Sequence, residues 1–436
     1  MLLKFWGVRG SIPAPLTSNQ VRSKIIHALQ EAARREIDLR DARAINEFVA
    51  GLSPYIQGTV GGNTSCISLE TDTQLIIFDA GSGMRELGWA LMEREFGRGQ
   101  GQASIFFTHT HWDHIQGFPF FRPVFVRGNH FTIYSVHPYI QQVLSNQMNP
   151  EWFPVPFTYL SADIEFKSIK PGEVLRLGEL QLRCQVLEHP GHAYAYRVED
   201  GTSSVVLATD GEYKNLSASH TREYIDFFAG ADILIFDAMF SVRESFIRED
   251  WGHSSAMIGA DLARRAGVKR LLLFHHDPAA TDDEIWRIAE ATQEYLSQDG
   301  ALVSPEVVVA CEGMEIDLSN KADLQITSQL VGDVVVLHLK GRLDAYGADA
   351  FESQFEALSS QAEVHKIILD MRGLTELSTA GIKTLLDIRK QTYGMALAEL
   401  PASIHRVLEL AVTADFFAIY DRVDAALAAL NAAESA

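Results

Sequence analysis

The sequence predicts an α/β protein of two domains, and three observations carry that prediction. Short apolar runs at residues 74–78, 104–107, 204–208 and 232–236 read as strands buried on both faces, and from Lys4 to about Leu318 they alternate with glycine-rich turns and helical stretches. A chain of 436 residues exceeds what one hydrophobic core ordinarily serves. After the polar run Ser319-Asn320-Lys321 a second, shorter pattern of strands and helices begins, so domains spanning 1–318 and 322–436 are expected.

The composition supports packed domains, with 47% hydrophobic and 22% charged residues. The formal charge of −20, from 37 Lys and Arg against 57 Asp and Glu, argues against a long nucleic acid as substrate, because gripping one takes cationic side chains that displace counterions from phosphates. Cys66, Cys184 and Cys311 lack C-x-x-C spacing and read as small buried apolar groups. The opening residues are too short in apolar run for a signal peptide, and no 18-residue apolar stretch follows, so a cytoplasmic protein with no membrane contact is expected.

In chain order, a strand opens near Lys4, and residues 18–57 then interrupt the pattern. They are polar and helical in spacing, with Val21, Ile25, Leu29 and Ala33 on one stripe, and read as a helical insertion: a solvated decoration, a lid or the contact of a homodimer. Each core strand then ends in a polar cluster: Asp79-Ala80-Gly81, Thr108-His109-Thr110-His111, Thr209-Asp210-Gly211 and Asp237-Ala238. Reactive side chains are therefore expected on loops at strand ends, where a rigid scaffold positions them. The densest cluster, His109-Thr110-His111-Trp112-Asp113-His114, places four metal-ligand side chains within six residues, of the imidazole and carboxylate types that zinc, iron and manganese accept.

These residues resemble the metallo-β-lactamase superfamily, whose signature H-x-H-x-D-H follows a core strand. The resemblance covers residues 1 to about 318 and extends to Asp79-Ala80-Gly81, His189-Pro190-Gly191, Asp210, and His275 after the run 270–274. It implies an αββα four-layer sandwich and two divalent metal ions, zinc first and manganese or iron next. The first ion would take His109, His111 and His189; the second Asp113, His114 and His275; Asp210 would bridge them. His192 competes with His189 and His276 with His275. His189 is preferred because Tyr196-Arg197-Val198 resembles the ribonuclease Z and cyclic-phosphate branch, and His275 because it directly follows the apolar strand.

Phe5-Trp6-Gly7-Val8-Arg9-Gly10-Ser11, Gly61-Gly62-Asn63-Thr64-Ser65 and Gly252-His253-Ser254-Ser255 also resemble that branch, whose members characteristically hydrolyse phosphodiesters. The resemblance implies Asp113 and His253 as catalytic groups, with His253 donating a proton to the leaving oxygen. Ser254 or Ser255 is expected to cap the following helix. Asp79 and Asp237 are candidates to hold ligand histidines by hydrogen bonds, or are plain turn residues. Trp112 is expected to wall the pocket, where an indole stacks on a base or sugar, and Phe118, Phe120 and Phe121 to be core.

In the second domain, a strand at 334–339, another at 366–370 and a helix from Thr379 to about Lys390 frame three segments: Gly341-Arg342-Leu343-Asp344, Ile368-Leu369-Asp370-Met371-Arg372-Gly373 and Leu377-Ser378-Thr379-Ala380-Gly381-Ile382. They resemble the STAS domain of anti-sigma factor antagonists and sulfate-transporter tails. That resemblance implies a kinase or sigma-regulatory partner and phosphorylation of Thr379 or, second, Ser378; helix capping by Ser378 is the alternative. The combined expectation is a metal-dependent phosphodiesterase for small phosphodiesters such as cyclic nucleotides or cyclic phosphates, regulated by the appended domain. Ribonuclease Z-like RNA processing, thioester or carboxyl-ester hydrolysis, and a module whose metal domain only senses a ligand are the competing readings.

Overall fold

The computed structural model describes residues 1–298, 304–318, 324–361, 366–411 and 416–432. The chain divides into two compact units, Met1–Ser319 and Asn320–Ala436. The polar run at 319–321 and the expected domain start at 322 lie outside the described residues.

The first unit holds two seven-stranded sheets. In hydrogen-bonded order the first runs Glu315–Asp317, Leu2–Gly7, Cys66–Glu70, Leu75–Phe78, Gln102–Phe107, His130–Ser135 and Asp163–Ser168; the last four are parallel. The second runs Glu306–Val309, Arg270–Phe274, Ile233–Asp237, Ser204–Ala208, Ala193–Glu199, Leu180–Leu187 and Val174–Leu177, with its first four parallel. Strands Leu75–Phe78, Ser204–Ala208, Ile233–Asp237 and Arg270–Phe274 are buried throughout, as strands covered on both faces must be, and Gln102–Phe107 is buried from Ile105 onward. Between the sheets, Phe78 and Phe106 meet Tyr196 with ring centroids 5.6 Å apart, and Phe5 meets Phe274 at 6.0 Å. Helix Met84–Met92 packs on the outer face of the first sheet, and helices Ala256–Arg265 and Asp282–Gln298 on that of the second. This is the αββα sandwich.

The insertion forms helices Ser18–Arg34, Ala42–Ala50 and Pro54–Gln57 around a small core of Ala32, Phe48 and Leu52. The stripe of Val21, Ile25 and Leu29 faces outward.

The second unit is one five-stranded sheet, in order Gln325–Val331, Val334–Leu343, Lys366–Leu377, Gly394–Ala398 and Ala418–Tyr420, with helices Ala345–Gln361, Thr379–Gln391, Ala402–Ala411 and Val423–Ala432. Its first strand precedes the one expected at 334. That strand lies at the sheet edge with mostly exposed side chains, so it lacks an apolar run to announce it. Among the described residues no helix is long and apolar enough to cross a membrane.

Candidate metal centre

The carboxyl ends of parallel strands from both sheets supply the polar side chains. Asp79 follows strand Leu75–Phe78, His109 stands two residues beyond Gln102–Phe107, Asp210 two beyond Ser204–Ala208, Asp237 ends Ile233–Asp237, and His275 follows Arg270–Phe274. Asp79, Asp210 and His275 have φ of 59°, 58° and 58°. That left-handed backbone costs roughly 1–2 kcal/mol at a non-glycine residue and persists where surrounding structure enforces it, characteristically at functional sites.

His109, His111 and His189 converge in one group and Asp113, His114 and His275 in another, each with ligand atoms within 4.8 Å of one another. His189 Nε2 lies 3.0 Å from His111 Nδ1, and His275 Nε2 lies 3.2 Å from His114 Nε2 and 3.1 Å from Asp113 Oδ2. Asp210 stands between the groups: Oδ1 is 3.8 Å from His109 Nε2 and 3.3 Å from His275 Nε2, and Oδ2 is 3.3 Å from His114 Nε2. Ligand atoms bonded tetrahedrally at 2.0–2.2 Å lie roughly 3.4 Å apart, so these spacings suit a shared cation better than mutual hydrogen bonds. His109 Nε2 is buried with no hydrogen-bond partner, which a metal would satisfy. The donor set therefore fits divalent metal binding.

Surrounding groups fix the tautomers. Asp79, fully buried, accepts from His114 Nδ1 at 2.8 Å and from Thr108 Oγ1 at 2.9 Å, while Thr108 Oγ1 lies 3.0 Å from His109 Nδ1. With Thr108 donating to Asp79 and accepting from His109, both histidines carry an Nδ1 proton outward and turn Nε2 toward the centre. His189 Nδ1 donates to the Gly252 carbonyl at 2.8 Å. Gly252 has φ +82°, and a Cβ there would stand 2.1 Å from His189 Nδ1, so only glycine brings that carbonyl into place. Glu212 accepts from the amides of Asp250 at 3.0 Å and Gly252 at 3.2 Å and anchors the loop.

Electrostatics divide the candidate ligands. Burial pushes His109, His111 and His189 below the usual imidazole range, so they stand neutral and ready to ligate. His114 is also disfavoured by burial, but Asp210, Asp113 and Asp79 outweigh that and hold it well above its ordinary value. Burial raises Asp113 and Asp210, yet neighbouring histidines outweigh it and keep both far below the usual carboxylate range. His253 donates Nδ1 to Asp237 Oδ2 at 2.8 Å; burial lowers its pKa, but Asp237 overcomes burial and raises it to about 9.

The competing histidines lie elsewhere. His192 is exposed, with φ 65°, and its carbonyl accepts from His137 Nε2 at 3.0 Å. His276 is buried against the Ala310 carbonyl at 3.0 Å, and burial lowers it to about 4. Trp112 is 81% exposed and, with Ser11, Thr110, His111, Asp113, Asp210 and His253, lines a cleft of about 510 Å³. Phe118 and Phe121 are core, but Phe120 is 54% exposed, its ring packed perpendicular to Phe153 at 5.6 Å; the 3₁₀ turn 118–120 faces Phe120 away from the core. Ser255 caps helix Ala256–Arg265, and Ser254 does not. Ser378 caps helix Thr379–Gln391 by accepting from the Gly381 amide at 3.3 Å, and the Thr379 side chain lies outside the described residues.

Sequence reasoning missed Thr108, Glu212 and Ser11, whose backbone N–H donates to Asp113 Oδ2 at 2.7 Å. Ser11 closes the segment Phe5 to Ser11 that carried the resemblance, but its backbone role leaves no mark there.

Residues 74–276 match the family described as Beta-lactamase superfamily domain, and residues 325–426 match the STAS domain family. A ribonuclease Z from Gemmatimonas aurantiaca is 25% identical over 314 residues, covering 62% of this chain and 95% of its own. Among solved structures, the metallo-beta-lactamase fold protein YhfI from Bacillus subtilis is 18% identical, covering 72% of this chain and 98% of its own with a TM-score of 0.47. A putative anti-sigma factor antagonist from Thermotoga maritima is 22% identical, covering 24% of this chain and 94% of its own with a TM-score of 0.24. By these family matches the chain carries a beta-lactamase-superfamily domain followed by a STAS domain.

Proposed function

We propose that the first domain is a dinuclear metal phosphodiesterase for small phosphodiesters, cyclic nucleotides and cyclic phosphates among them. The observation that carries this reading is the pair of ligand groups joined by Asp210, with His253 facing the same cleft. His109, His111 and His189 would hold one ion, Asp113, His114 and His275 the other, and Asp210 both, with zinc the first candidate and manganese and iron next. Two divalent ions bound there would supply Lewis acidity to phosphoryl oxygens and a more acidic water. His253, protonated and with Nδ1 tied to Asp237, keeps Nε2 for donating a proton to the leaving oxygen. Asp113 remains a carboxylate at the cleft wall, and Trp112 offers a face for stacking.

Among the described residues, those lining the cleft include no lysine or arginine, which with the charge of −20 supports a small substrate over a long polyanion. The name of the Gemmatimonas aurantiaca relative favours a second reading, RNA processing by the same phosphodiester chemistry. Hydrolysis of cyclic mononucleotides, 2′,3′-cyclic phosphates, precursor RNA and thioesters by the metal-loaded protein separates these. Turnover of the cyclic substrates is expected, and activity on thioesters alone refutes the phosphodiesterase reading.

The STAS domain, in this proposal, regulates the activity through a kinase or sigma-regulatory partner. Thr379 is the first candidate for phosphorylation, since Ser378 is buried and engaged as a cap. Phosphopeptide mass spectrometry that finds both residues unmodified under all conditions removes the switch. A homodimer through Val21, Ile25 and Leu29 belongs to the same reading, and light scattering measures it.

A further inference from the structure

Lys24, in the first helix of the insertion, uses its ammonium as a three-way tie. Nζ donates to the Tyr55 carbonyl, to the Gly58 carbonyl at 2.8 Å and to Asp282 Oδ2 at 2.7 Å. Asp282 is 3% exposed and also accepts from Thr59 Oγ1 at 3.2 Å, the Val60 amide at 3.3 Å and Arg9 Nη2 at 3.5 Å. Arg9 is 2% exposed, and its remaining donors go to backbone carbonyls: Nε to Gly61, and Nη1 to Asp277 and Ala280, each at 2.9 Å. A buried guanidinium with one carboxylate partner and three carbonyls is fixed in place.

What Arg9 fixes is the turn that follows it. The Gly10 amide donates to the His276 carbonyl at 3.0 Å, and a Cβ on Gly10 would stand 2.5 Å from the His275 ring, so this backbone lies directly against a candidate ligand. Ser11 then takes φ 61°, a strained conformation for serine, and its N–H donates to Asp113 Oδ2 at 2.7 Å. That oxygen is the one 3.1 Å from His275 Nε2 and 3.3 Å from His114 Nε2.

We propose that Lys24, Asp282 and Arg9 are positioning residues for the second ion: they hold the Ser11 amide on Asp113 and thereby set the carboxylate's orientation and the affinity of the site it shares with His114 and His275. The helical insertion, far in sequence from every ligand, is then a working part of the metal centre. Among the described residues nothing comparable ties it to the first ion, whose orienting contacts are Thr108 and the Gly252 carbonyl. Removing the Lys24 charge therefore weakens one ion selectively. Partners outside the ligand shell typically alter metal affinity 10–100-fold, and a relay acting through a backbone amide is expected near the lower figure, about tenfold.

This inference rests on the two-ion reading, and calorimetric titration of Zn²⁺ into the chelator-stripped full-length protein tests both. His275→Ala identifies the binding event that belongs to the second site. Lys24→Met and the milder Lys24→Gln should weaken that event about tenfold and leave the other unchanged, with Lys24→Arg restoring it. Unchanged affinities in both neutral variants overturn the relay, as does equal weakening of both events together with a lowered melting temperature of the metal-free protein. A wild-type protein that binds fewer than two ions refutes the two-ion reading itself, and the relay falls with it.

Discussion

Asp79→Asn preserves the volume of a fully buried side chain while removing its charge and turning one of its two acceptor atoms into a donor. The carboxylate accepts from the Thr108 amide at 2.8 Å, Thr108 Oγ1 at 2.9 Å, Ser65 Oγ at 3.2 Å and His114 Nδ1 at 2.8 Å. An asparagine puts its NH₂ either at the Oδ2 position, facing His114, Ser65 and the Thr108 hydroxyl, or at the Oδ1 position, facing the Thr108 amide. The hydroxyls can rotate and accept, but a ring nitrogen carrying a proton cannot. If the NH₂ faces His114, the imidazole must move its proton to Nε2, the atom 3.2 Å from His275 Nε2, and ceases to be a ligand. If it stands at the Oδ1 position instead, it meets the Thr108 N–H, a buried donor that cannot accept. The first orientation holds a candidate ligand in the wrong tautomer, the second opposes two buried donors, and both remove the carboxylate's charge from His114, so ion affinity should fall about 10–100-fold, or about 1.4–2.8 kcal/mol. The metal-free protein should also lose about 1–3 kcal/mol from the imperfectly paired buried donors. Zn²⁺ titration calorimetry measures the first effect and thermal unfolding in chelator the second. An Asp79→Asn protein that binds ions with wild-type affinity refutes the assignment of Asp79 as the group that sets these tautomers.

Four further outcomes follow from the same geometry. His253→Gln should lower kcat by about 10²–10⁴ while leaving metal content intact, as a lost proton donor does. The raised His253 pKa of about 9 means that in the metal-free protein its pairing with Asp237 stabilises the fold fully below the unfolded value near 6.5 and is lost as pH rises through about 9. The melting difference between wild type and His253→Gln in chelator should therefore shrink between pH 6 and pH 10; a constant difference contradicts the pairing. His192→Ala and His276→Ala should each retain full metal content by elemental analysis, whereas His189→Ala and His275→Ala should not. Ser378→Ala should destabilise the second unit by about 1 kcal/mol through loss of its cap, read from denaturant unfolding.

The legible parts of this protein were those written in side chains. Runs such as 270–274 announced strands because burial on both faces demands continuous apolar sequence, and clusters such as 109–114 stood out because core strands seldom end in four ligand-type residues. Position directly after the apolar strand favoured His275 over His276. The structure separates them by a left-handed turn at His275, beyond which the next side chain is buried on the Ala310 carbonyl. Backbone groups were invisible: Ser11 acts through its N–H and Gly252 through its carbonyl, and neither function leaves a side-chain signature. The edge strand Gln325–Val331 escaped notice because solvent, not core, faces most of its side chains.

The most direct measurement is a reconstitution titration, in which hydrolysis of bis(4-nitrophenyl) phosphate is followed against the number of divalent ions bound per chain. Activity is predicted to emerge as the second ion binds, because the ligand groups joined by Asp210 act together. Full hydrolysis with one ion or none, or no hydrolysis with both in place, contradicts the account.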